Sequence, residues 1–146
     1  TTALDVTIQA QILELIRSIN KQYGMSMMLI THNMGIVAQM CDRIMVMYGG
    51  VVVEEGDVKL LFKDAKHPYT QGLLKAIPSI AYDTKELFTI EGTVPRFSFP
   101  VHGCRFASRC ALASEVCREK EPPLVVLLDG RKIRCHQHTK EGKSDE

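Results

Sequence analysis

The chain has 146 residues, of which 45% are hydrophobic, and its formal net charge at pH 7 is +1. This length and apolar content provide the core of one domain, or of one small domain with a tail. The near-neutral charge excludes the basic surface that nucleic acid or an anionic membrane would attract. No apolar run approaches the roughly 18 residues of a membrane-spanning helix, so we expect neither a nucleic-acid partner nor a membrane span.

The first residue and the cysteine count bear on the cellular context. The chain starts at Thr1 and has no basic segment followed by an apolar one. We therefore expect no secretory signal, and we interpret the start as a cut made by proteolysis or by cloning. Five cysteines are an odd number. In a chain without an export signal, that number favours reduced thiols or a metal site over a disulfide scaffold.

An amphipathic helix is the first predicted element, and it begins after Asp5. The carboxylate of Asp5 suits the N-cap position, where it accepts from the free N–H groups of the first turn. Gly24 suits the left-handed position just past the helix end. The apolar residues between them recur at the spacing of one helical face. They are Ile8, Ile12, Leu15, Ile16 and Ile19.

Short strands and helices are predicted to follow. The apolar run 25–31 has strand length and the pattern of a parallel strand buried on both faces. Gly49-Gly50 is a two-residue hairpin signal between two strand-like runs. The predicted elements after residue 31 are a helix over 32–40, strands over 43–48 and 51–54, and helices over 58–63 and 69–77, the last of them after Pro68.

The character of the sequence changes after Pro78, where prolines and glycines become frequent and four of the five cysteines lie. We therefore predict a domain boundary near 78–90. Residues 1–78 form the first part and residues 79–138 a small loop-rich module, while the charged tail 139–146 is predicted to be disordered. The predicted fold class is α/β, with parallel strands, helices and a β-hairpin in the first part.

His32 is the first candidate for chemistry because it directly follows the predicted buried strand. Open α/β sheets bind ligands at the carboxyl ends of their strands. A histidine there can donate a hydrogen bond to a γ-phosphate or to the attacking water. It can equally cap the next helix or lie on the surface. Asp5, one helix upstream, can cap that helix and also take part in the same chemistry.

Five ordered motifs resemble the ATP-binding subunits of dipeptide/oligopeptide ABC transporters. Residues 1–11 (TTALDVTIQAQ) are similar to their D-loop and the following helix, and residues 30–33 (ITHN) to their H-loop, in which Asp is commoner than Asn33. The remaining similar stretches are the hairpin 48–56 (YGGVVVEEG), the His-Pro-Tyr element 67–74 (HPYTQGLL), and the C-terminal segments 92–95 (GTVP) and 103–110 (GCRFASRC). The resemblance covers residues 1–138 and implies the C-terminal part of an ABC-type nucleotide-binding domain with a Cys-containing extension.

The resemblance gives roles to two residues. Asp5 matches the D-loop aspartate, which helps two nucleotide-binding domains communicate across their ATP sites, and His32 matches the switch histidine that contacts the γ-phosphate. The chain has no match for the phosphate loop, the Mg²⁺ ligands, the signature motif or the catalytic glutamate. Those groups supply most of the stabilisation of the transferring phosphoryl group. We therefore expect ATP and Mg²⁺ to be used by the parent protein, and this chain alone to be inactive.

The function that the resemblance implies is that of the ATPase subunit of a peptide importer. Such a subunit is a peripheral protein at the cytoplasmic face of the cell membrane. Its partners are the transporter's membrane subunits and a second ATPase subunit. Nickel importers share this architecture, so a nickel-importer subunit is one alternative. A non-enzymatic metal-binding or interaction module is another, from a different functional class.

Four cysteines are the candidate metal ligands: Cys104, Cys110, Cys117 and Cys135, separated by 5, 6 and 17 residues. Their spacing lacks the tight cysteine pair of structural zinc sites and differs from ferredoxin runs, so unliganded thiols stay open. The resemblance favours a metal, since members with these cysteines look like iron–sulfur proteins. Four thiolates suit a [4Fe–4S] cluster, and zinc is the alternative.

Charged residues near these cysteines also bear on whether the cysteines bind a metal. Arginines can offset the negative charge of a cluster held by thiolates, or they can form an ordinary solvated surface. The arginines concerned are Arg105, Arg109, Arg118, Arg131 and Arg134. Histidines can replace a cysteine at zinc, and the candidates are His102, His136 and His138. The fifth cysteine, Cys41, is interpreted as a small buried hydrophobe.

The predicted strand 25–31 also bears on the association state. A parallel strand needs neighbours along its edges, and an apolar strand with an open edge tends to pair with another chain. We therefore expect the chain alone to self-associate.

Overall fold

The structure, a computed structural model, describes residues 6–77, 89–96, 101–139 and 143–144. Contacts divide the chain into two compact units, residues 1–41 and residues 42–146. The boundary predicted near 78–90 lies largely outside the described residues and stays a prediction.

The first unit contains two helices, α1 (Val6–Tyr23) and α2 (Met34–Met40). They confirm the two helices predicted for this part of the sequence, although Asp5, the predicted N-cap, lies outside the described residues. α1 ends at Gly24, whose φ of 62° is the left-handed conformation that glycine adopts without strain. The N–H of Gly24 donates to the carbonyl of Asn20 (2.8 Å), which closes the helix.

The apolar stripe of α1 is exposed. Leu15 is 59% exposed and Ile8 is 46% exposed. Among the described residues of the first unit, the buried ones are Ile36 and Val37 of α2. The helix therefore has the predicted amphipathic pattern, but its apolar face is left without a covering layer in this unit.

The prediction of a parallel strand over 25–31 is wrong for this structure, in which these residues form no strand. Their large side chains are exposed, including Met28 at 77% and Ile30 at 91%. The reason is that a strand is defined by hydrogen bonds to a neighbour. The described part of the chain provides no strand that pairs with this segment.

The second unit begins with a β-hairpin, β1 (Arg43–Tyr48) and β2 (Val51–Asp57), which pair antiparallel. Gly49 and Gly50 join them with φ values of 57° and 87°. Two positive φ values are what a type I′ hairpin turn requires, because its twist matches that of the strands. The predicted hairpin is therefore confirmed, with β2 extending past residue 54. Alternate residues of β1 are buried: Ile44, Val46 and Tyr48.

Two predicted helices follow, α3 (Val58–Lys63) and α4 (Pro68–Lys75). The Asp57 carboxylate caps α3 by accepting from Leu60 N–H (3.0 Å). α4 begins at Pro68, since the fixed φ of proline and its missing N–H suit the first helical position.

All the strand pairings of the described residues are antiparallel, so the mixed α/β fold carries a small antiparallel sheet. The further strands are β3 (Val125–Val126), β4 (Lys132–Ile133) and β5 (Lys143–Ser144), and the sheet order is β1-β2-β4-β3-β5. A short helix, α5 (Glu115–Glu119), precedes them. β5 lies within the tail 139–146 and pairs with β3, while the disorder predicted for that tail stays a prediction.

A buried charge cluster joins β2 to the turn before β4. Glu54 is fully buried, and its carboxylate accepts from the backbone N–H groups of Lys66 (2.8 Å) and His67 (3.0 Å). The guanidinium of Arg131, which is also buried, lies 3.7 Å from Glu54 and donates to the carboxylate of Asp129 (2.7 Å). Buried charges are costly unless they are paired and hydrogen-bonded, so this cluster fixes where the turn meets β2.

Gly56 makes room for this cluster. A Cβ atom at position 56 would lie only 2.6 Å from Cγ of Arg131. The same arginine side chain also donates to the backbone carbonyl of Asp64, at the end of α3. Arg131 therefore joins the hairpin, the segment after α3 and the β3–β4 turn.

We expect Arg131→Met to lower the free energy of unfolding by about 3–5 kcal/mol, because it leaves the buried carboxylate of Glu54 without its cation. Arg43→Met is the matched control, since Arg43 pairs with Glu55 on the surface (2.8 Å, side chain 60% exposed). Its loss should cost less than about 1 kcal/mol. Urea unfolding of both variants measures the difference, and equal losses would contradict the role given to Arg131.

Candidate functional site

His32 lies in the irregular segment just before α2, and its side chain is exposed. The capping role that the sequence left open for it belongs to Asn33. The side-chain Oδ1 of Asn33 accepts from the N–H groups of Gly35 (3.0 Å) and Ile36 (3.2 Å). His32 is therefore held next to a capped helix start, with its ring turned to solvent. Its predicted partner, Asp5, lies outside the described residues.

The four cysteines named from the sequence line one cavity in the second unit. They come from different elements: a loop, the end of a short 3₁₀ turn, α5, and the residue pair after β4. The cavity has a volume of about 20 Å³, which is room for about one water molecule. The cysteines are Cys104, Cys110, Cys117 and Cys135, and the other lining residues include His67, Phe106 and His136.

A tight backbone contact brings Cys104 beside Cys117. The N–H of Cys104 donates to the carbonyl of Cys117 (2.7 Å). Gly103, with a φ of 79°, allows this approach, since a Cβ atom there would lie 2.4 Å from the carbonyl oxygen of Arg118. No residue larger than glycine fits that position without moving the backbone. Glycine is therefore needed at position 103 because the backbone of Arg118 leaves no room for a side chain.

Three of the four thiols that line this cavity have a raised pKa. Burial raises the pKa of Cys104, Cys110 and Cys135, and the neighbouring thiols raise it further. A thiol with a raised pKa is a poor nucleophile at neutral pH, because the thiolate is the reactive form. The cavity therefore lacks the electropositive surroundings of a catalytic cysteine.

A single metal ion is not supported by this arrangement. Within residues 6–77, 89–96 and 101–139, no group of three or more His, Cys, Asp or Glu side chains is placed to hold one ion. A tetrahedral zinc site would need sulfur atoms within about 4 Å of one another, because each Zn–S bond is about 2.3 Å long. The thiols share a cavity but do not meet at one point.

Most of the arginines near the cysteines bind backbone carbonyls or carboxylates. Arg109 donates to the carbonyls of Ile90 (2.9 Å), Glu91 (2.8 Å) and Gly92 (2.9 Å), and so holds the segment 89–96. Arg105 donates to the Gly49 carbonyl. Arg131 donates to the carboxylate of Asp129 (2.7 Å), and Arg134 donates to the carbonyls of Val52 (3.3 Å) and Pro122 (3.2 Å). These contacts favour a structural role for these arginines over charge compensation.

The histidines proposed as zinc alternatives have different surroundings. His136 lines the cavity, but its Nε2 lies 2.8 Å from the carbonyl of Lys120. His102 lines a second, open cavity beside Cys104 and Cys117. His138 lies close enough to His67 to affect its pKa.

His67 is the residue of this site that the sequence did not single out on its own. It is 1% exposed and lines the cysteine cavity. Its Nδ1 accepts from the N–H of Tyr69 (3.1 Å), so it caps α4. Burial, helped by the nearby charge of His138, lowers the pKa of His67 to about 4. The ring is therefore neutral at physiological pH.

An aromatic cluster packs around His67. The rings of Tyr48 and Tyr69 are 4.7 Å apart, and Phe106 lies 5.1 Å from Tyr48 and 5.4 Å from Tyr69, in edge-to-face or tilted geometry. The Phe106 ring also lies 5.9 Å from that of His67. Hairpin, α4 and the loop after Cys104 thus share one packed cluster. The only sequence signal for it was the His-Pro-Tyr element itself.

Comparison with known proteins gives one family and close relatives. The family described as the C-terminal region of the oligopeptide/dipeptide transporter matches residues 53–117. The chain is 46% identical over 136 residues to the dipeptide transport ATP-binding protein DppD of Escherichia coli, covering 93% of this chain and 42% of that protein. Residues 53–117 therefore carry the C-terminal region of the oligopeptide/dipeptide transporter family.

Two other relatives are similar to this chain to the same degree. Dipeptide transport ATP-binding protein DppD of Haemophilus influenzae is 47% identical over 93% of this chain and 41% of its own length. Oligopeptide transport ATP-binding protein AppD of Bacillus subtilis is 46% identical over 97% of this chain and 43% of its own length. The chain spans about two-fifths of the length of these relatives.

The family region contains the His-Pro-Tyr element and three of the four cysteines, and Cys135 lies beyond its last residue. Among the residues that the structure describes, no helix is both long and apolar enough to cross a membrane.

The lowered pKa of His67 predicts a pH-dependent stability. Because the pKa falls from 6.5 in the unfolded chain to about 4 in the folded one, the unfolded chain binds more protons between these values. The free energy of unfolding therefore has its full value above pH 6.5 and falls as the pH drops from 6.5 towards 4. Below pH 4 it is about 3 kcal/mol lower than above pH 6.5.

The measurement is urea unfolding of the metal-free chain between pH 4 and pH 8, compared with His67→Asn. Asparagine does not titrate, so the difference between the two stability curves isolates the histidine. A difference that does not change with pH would show that His67 titrates normally in the folded chain.

Proposed function

We propose that this chain is the C-terminal part of the ATP-hydrolysing subunit of an importer for dipeptides or oligopeptides. The observation that carries the proposal is the similarity over almost the whole chain to ATP-binding proteins whose names specify dipeptide or oligopeptide transport. Those names favour peptides over nickel as the transported solute. The subunit acts at the cytoplasmic face of the membrane, with membrane subunits and a second ATPase subunit as partners.

His32 is the residue of this chain with the most direct role in the proposed reaction. Its exposed ring, beside the helix start that Asn33 caps, is available to a γ-phosphate bound by the preceding part of the subunit. There it donates a hydrogen bond to the phosphate or to the attacking water as charge develops. Asp5 acts in communication between the two ATP sites. ATP and Mg²⁺ are held by groups outside this chain.

The exposed apolar face of α1 supports the same proposal. A stripe of this kind is normally covered by another layer of a domain, and the first unit has little buried surface of its own. We infer that the preceding part of the ATPase domain covers α1 and pairs with residues 25–31. The sequence has no match for the phosphate loop, and the apolar face of α1 is exposed in the part of the first unit that the structure describes, so we expect no ATP hydrolysis from this chain alone.

We expect His32→Ala to lower kcat for ATP hydrolysis by about 10²–10³-fold in a polypeptide that joins this chain to the preceding part of a family subunit, because one hydrogen bond to the developing charge is lost. Asn33→Asp is the matched control, since aspartate caps α2 equally well and should leave kcat unchanged. Steady-state hydrolysis of Mg-ATP measures both. Wild-type turnover by the His32→Ala variant would remove His32 from the mechanism.

The uncovered α1 face predicts self-association of the chain alone. Leu15→Lys puts a charge into the exposed stripe and should raise the monomer fraction, because the buried area in any self-contact falls. Ala10→Lys is the matched control, since it adds the same charge on the opposite, polar face of α1. Light scattering over a concentration series measures both. A wild-type chain that stays monomeric at every concentration would contradict this prediction.

We propose a second function for the C-terminal region, a [4Fe–4S] cluster bound by the four cysteines. It is supported by the convergence of Cys104, Cys110, Cys117 and Cys135 on one cavity. Soft thiolates prefer iron–sulfur clusters or zinc, and a cluster, unlike a single ion, needs its sulfur ligands spread around it. When bound it would serve as a structural cross-link of this loop-rich region. The protonated thiols would have to lose their protons on binding.

Metal analysis and absorbance of the chain purified without oxygen test this second function. We expect a broad band near roughly 400 nm and about four irons per chain. Cys117→Ser should abolish both, whereas Cys41→Ser, which alters a cysteine of the first unit, should change neither. One zinc and no colour would replace the cluster by a structural zinc site, and no metal would leave four thiols.

A further inference from the structure

The segment 89–96 is held to the second unit by a single side chain. Its residues form neither helix nor strand, and most of them are exposed. The guanidinium of Arg109 donates to the carbonyls of Ile90 (2.9 Å), Glu91 (2.8 Å) and Gly92 (2.9 Å). In the described part of the chain, these are the hydrogen bonds that reach the segment. A segment with so few contacts opens readily once they are lost.

Gly92 allows three successive carbonyls to meet one cation. Its φ of 75° is the left-handed conformation that glycine adopts without strain. A Cβ atom at this position would lie 3.8 Å from Cγ and Nε of Arg109, so the backbone runs close along the arginine side chain. The planar guanidinium presents several N–H donors in one plane, which suits a row of acceptors.

Arg109 belongs to a short turn that carries two of the cavity's cysteines. This turn, residues 104–110, is closed by three backbone hydrogen bonds: from Ala107 N–H to the Cys104 carbonyl (3.0 Å), from Arg109 N–H to the Phe106 carbonyl (3.0 Å), and from Cys110 N–H to the Ala107 carbonyl (3.4 Å). Cys104 and Cys110, at its two ends, line the cavity. Because Arg109 directly precedes Cys110, a shift of the chain at Cys110 also moves Arg109.

The contacts of Arg109 argue against a binding site for a free anion. Its Nε and Nη2 donate to the three carbonyls, and its Nη1 lies 3.5 Å from the hydroxyl oxygen of Tyr48. An anion would therefore have to displace these backbone acceptors. The guanidinium instead connects the turn 104–110 to the segment 89–96.

We propose that the turn 104–110 couples the state of the cysteine cavity to the segment 89–96, with Arg109 as the positioning residue. The cavity has a volume of about 20 Å³, so a group larger than a water molecule on one of its cysteines displaces the turn. The displaced guanidinium leaves the carbonyls of residues 90–92, and the segment opens. This coupling is a property of the metal-free chain and does not depend on the proposed metal-binding function.

Proteolysis by a glutamyl endopeptidase measures the opening, because Glu91 supplies a cleavage site inside the segment. The protease must bind the carbonyl oxygen of the scissile bond in its oxyanion hole, and in the closed segment Arg109 holds that oxygen. Glu55 is the internal reference, since it lies in β2 and its cleavage requires the hairpin to open. The cleavage rate follows the population of the open form when opening and closing are fast.

Arg109→Met removes the donors and keeps a side chain of similar length. We expect it to raise the ratio of the Glu91 rate to the Glu55 rate about ten-fold or more in the reduced, metal-free chain, because three hydrogen bonds from a charged donor are lost. Arg118→Met is the matched control, since it removes the same charge from an exposed position next to Cys117. Its ratio should stay within about two-fold of wild type.

A second arm changes the cavity instead of the arginine. Methyl methanethiosulfonate converts each thiol to a methyl disulfide and releases methanesulfinate, and the reaction is continued until the intact mass shows all five cysteines modified. We expect the cleavage ratio of the wild-type chain to rise about five-fold or more and to return to its starting value after dithiothreitol. In Arg109→Met the same treatment should change the ratio less than about two-fold, because the segment is already open.

Three results would overturn the proposal: an unchanged ratio in Arg109→Met, an unchanged ratio in the modified wild-type chain, or faster cleavage at Glu91 and Glu55 by the same factor. The last would mean that the second unit unfolds as a whole. Iron and zinc analysis of the wild-type chain is a separate measurement. A chain without metal would remove the metal-binding function and leave both arms as tests of the coupling.

Discussion

The buried carboxylate of Glu54 is the constraint on which the arrangement of the second unit depends. A fully buried charge must be met by donors and a cation, or folding loses several kcal/mol. Its partners come from two separate stretches, the backbone before α4 and the guanidinium of Arg131. Since both must reach β2, the starts of α4 and of β4 are fixed relative to the hairpin. Cys135, which follows β4, is therefore positioned by the same contacts of Glu54.

Local chemistry explains which elements could be predicted from the sequence. The helical spacing of apolar residues, the Gly49-Gly50 turn and Pro68 act within a few residues, and α1, the hairpin and α4 form where these signals place them. Residues 25–31 carry an equally clear pattern, but a strand depends on partners that the sequence of the segment does not contain. The β3–β4 pair was missed because two-residue strands leave no periodic pattern.

The sequence predicted which cysteines form the candidate site. It did not predict the contacts that hold those cysteines in place. Cysteines are conspicuous in sequence, and all four named ones line the same cavity. The burial of His67 against that cavity depends on packing between distant segments of the chain, which no local pattern indicates. The arginines were misleading for a related reason. Composition gives their charge but not their acceptors, and Arg109 uses its charge on three backbone carbonyls of the segment 89–96.

The two proposed chemistries belong to different units and differ in what they need. His32 lies in the first unit, whose apolar helix face is uncovered, and a γ-phosphate can reach it only if other groups bind ATP. The cysteine cavity lies in the second unit, and every residue that lines it belongs to that unit. That unit also has its own apolar core and its own buried charge cluster. The cavity can therefore form without the ATP site. The proposed role of His32 in ATP hydrolysis, in contrast, requires the rest of the subunit.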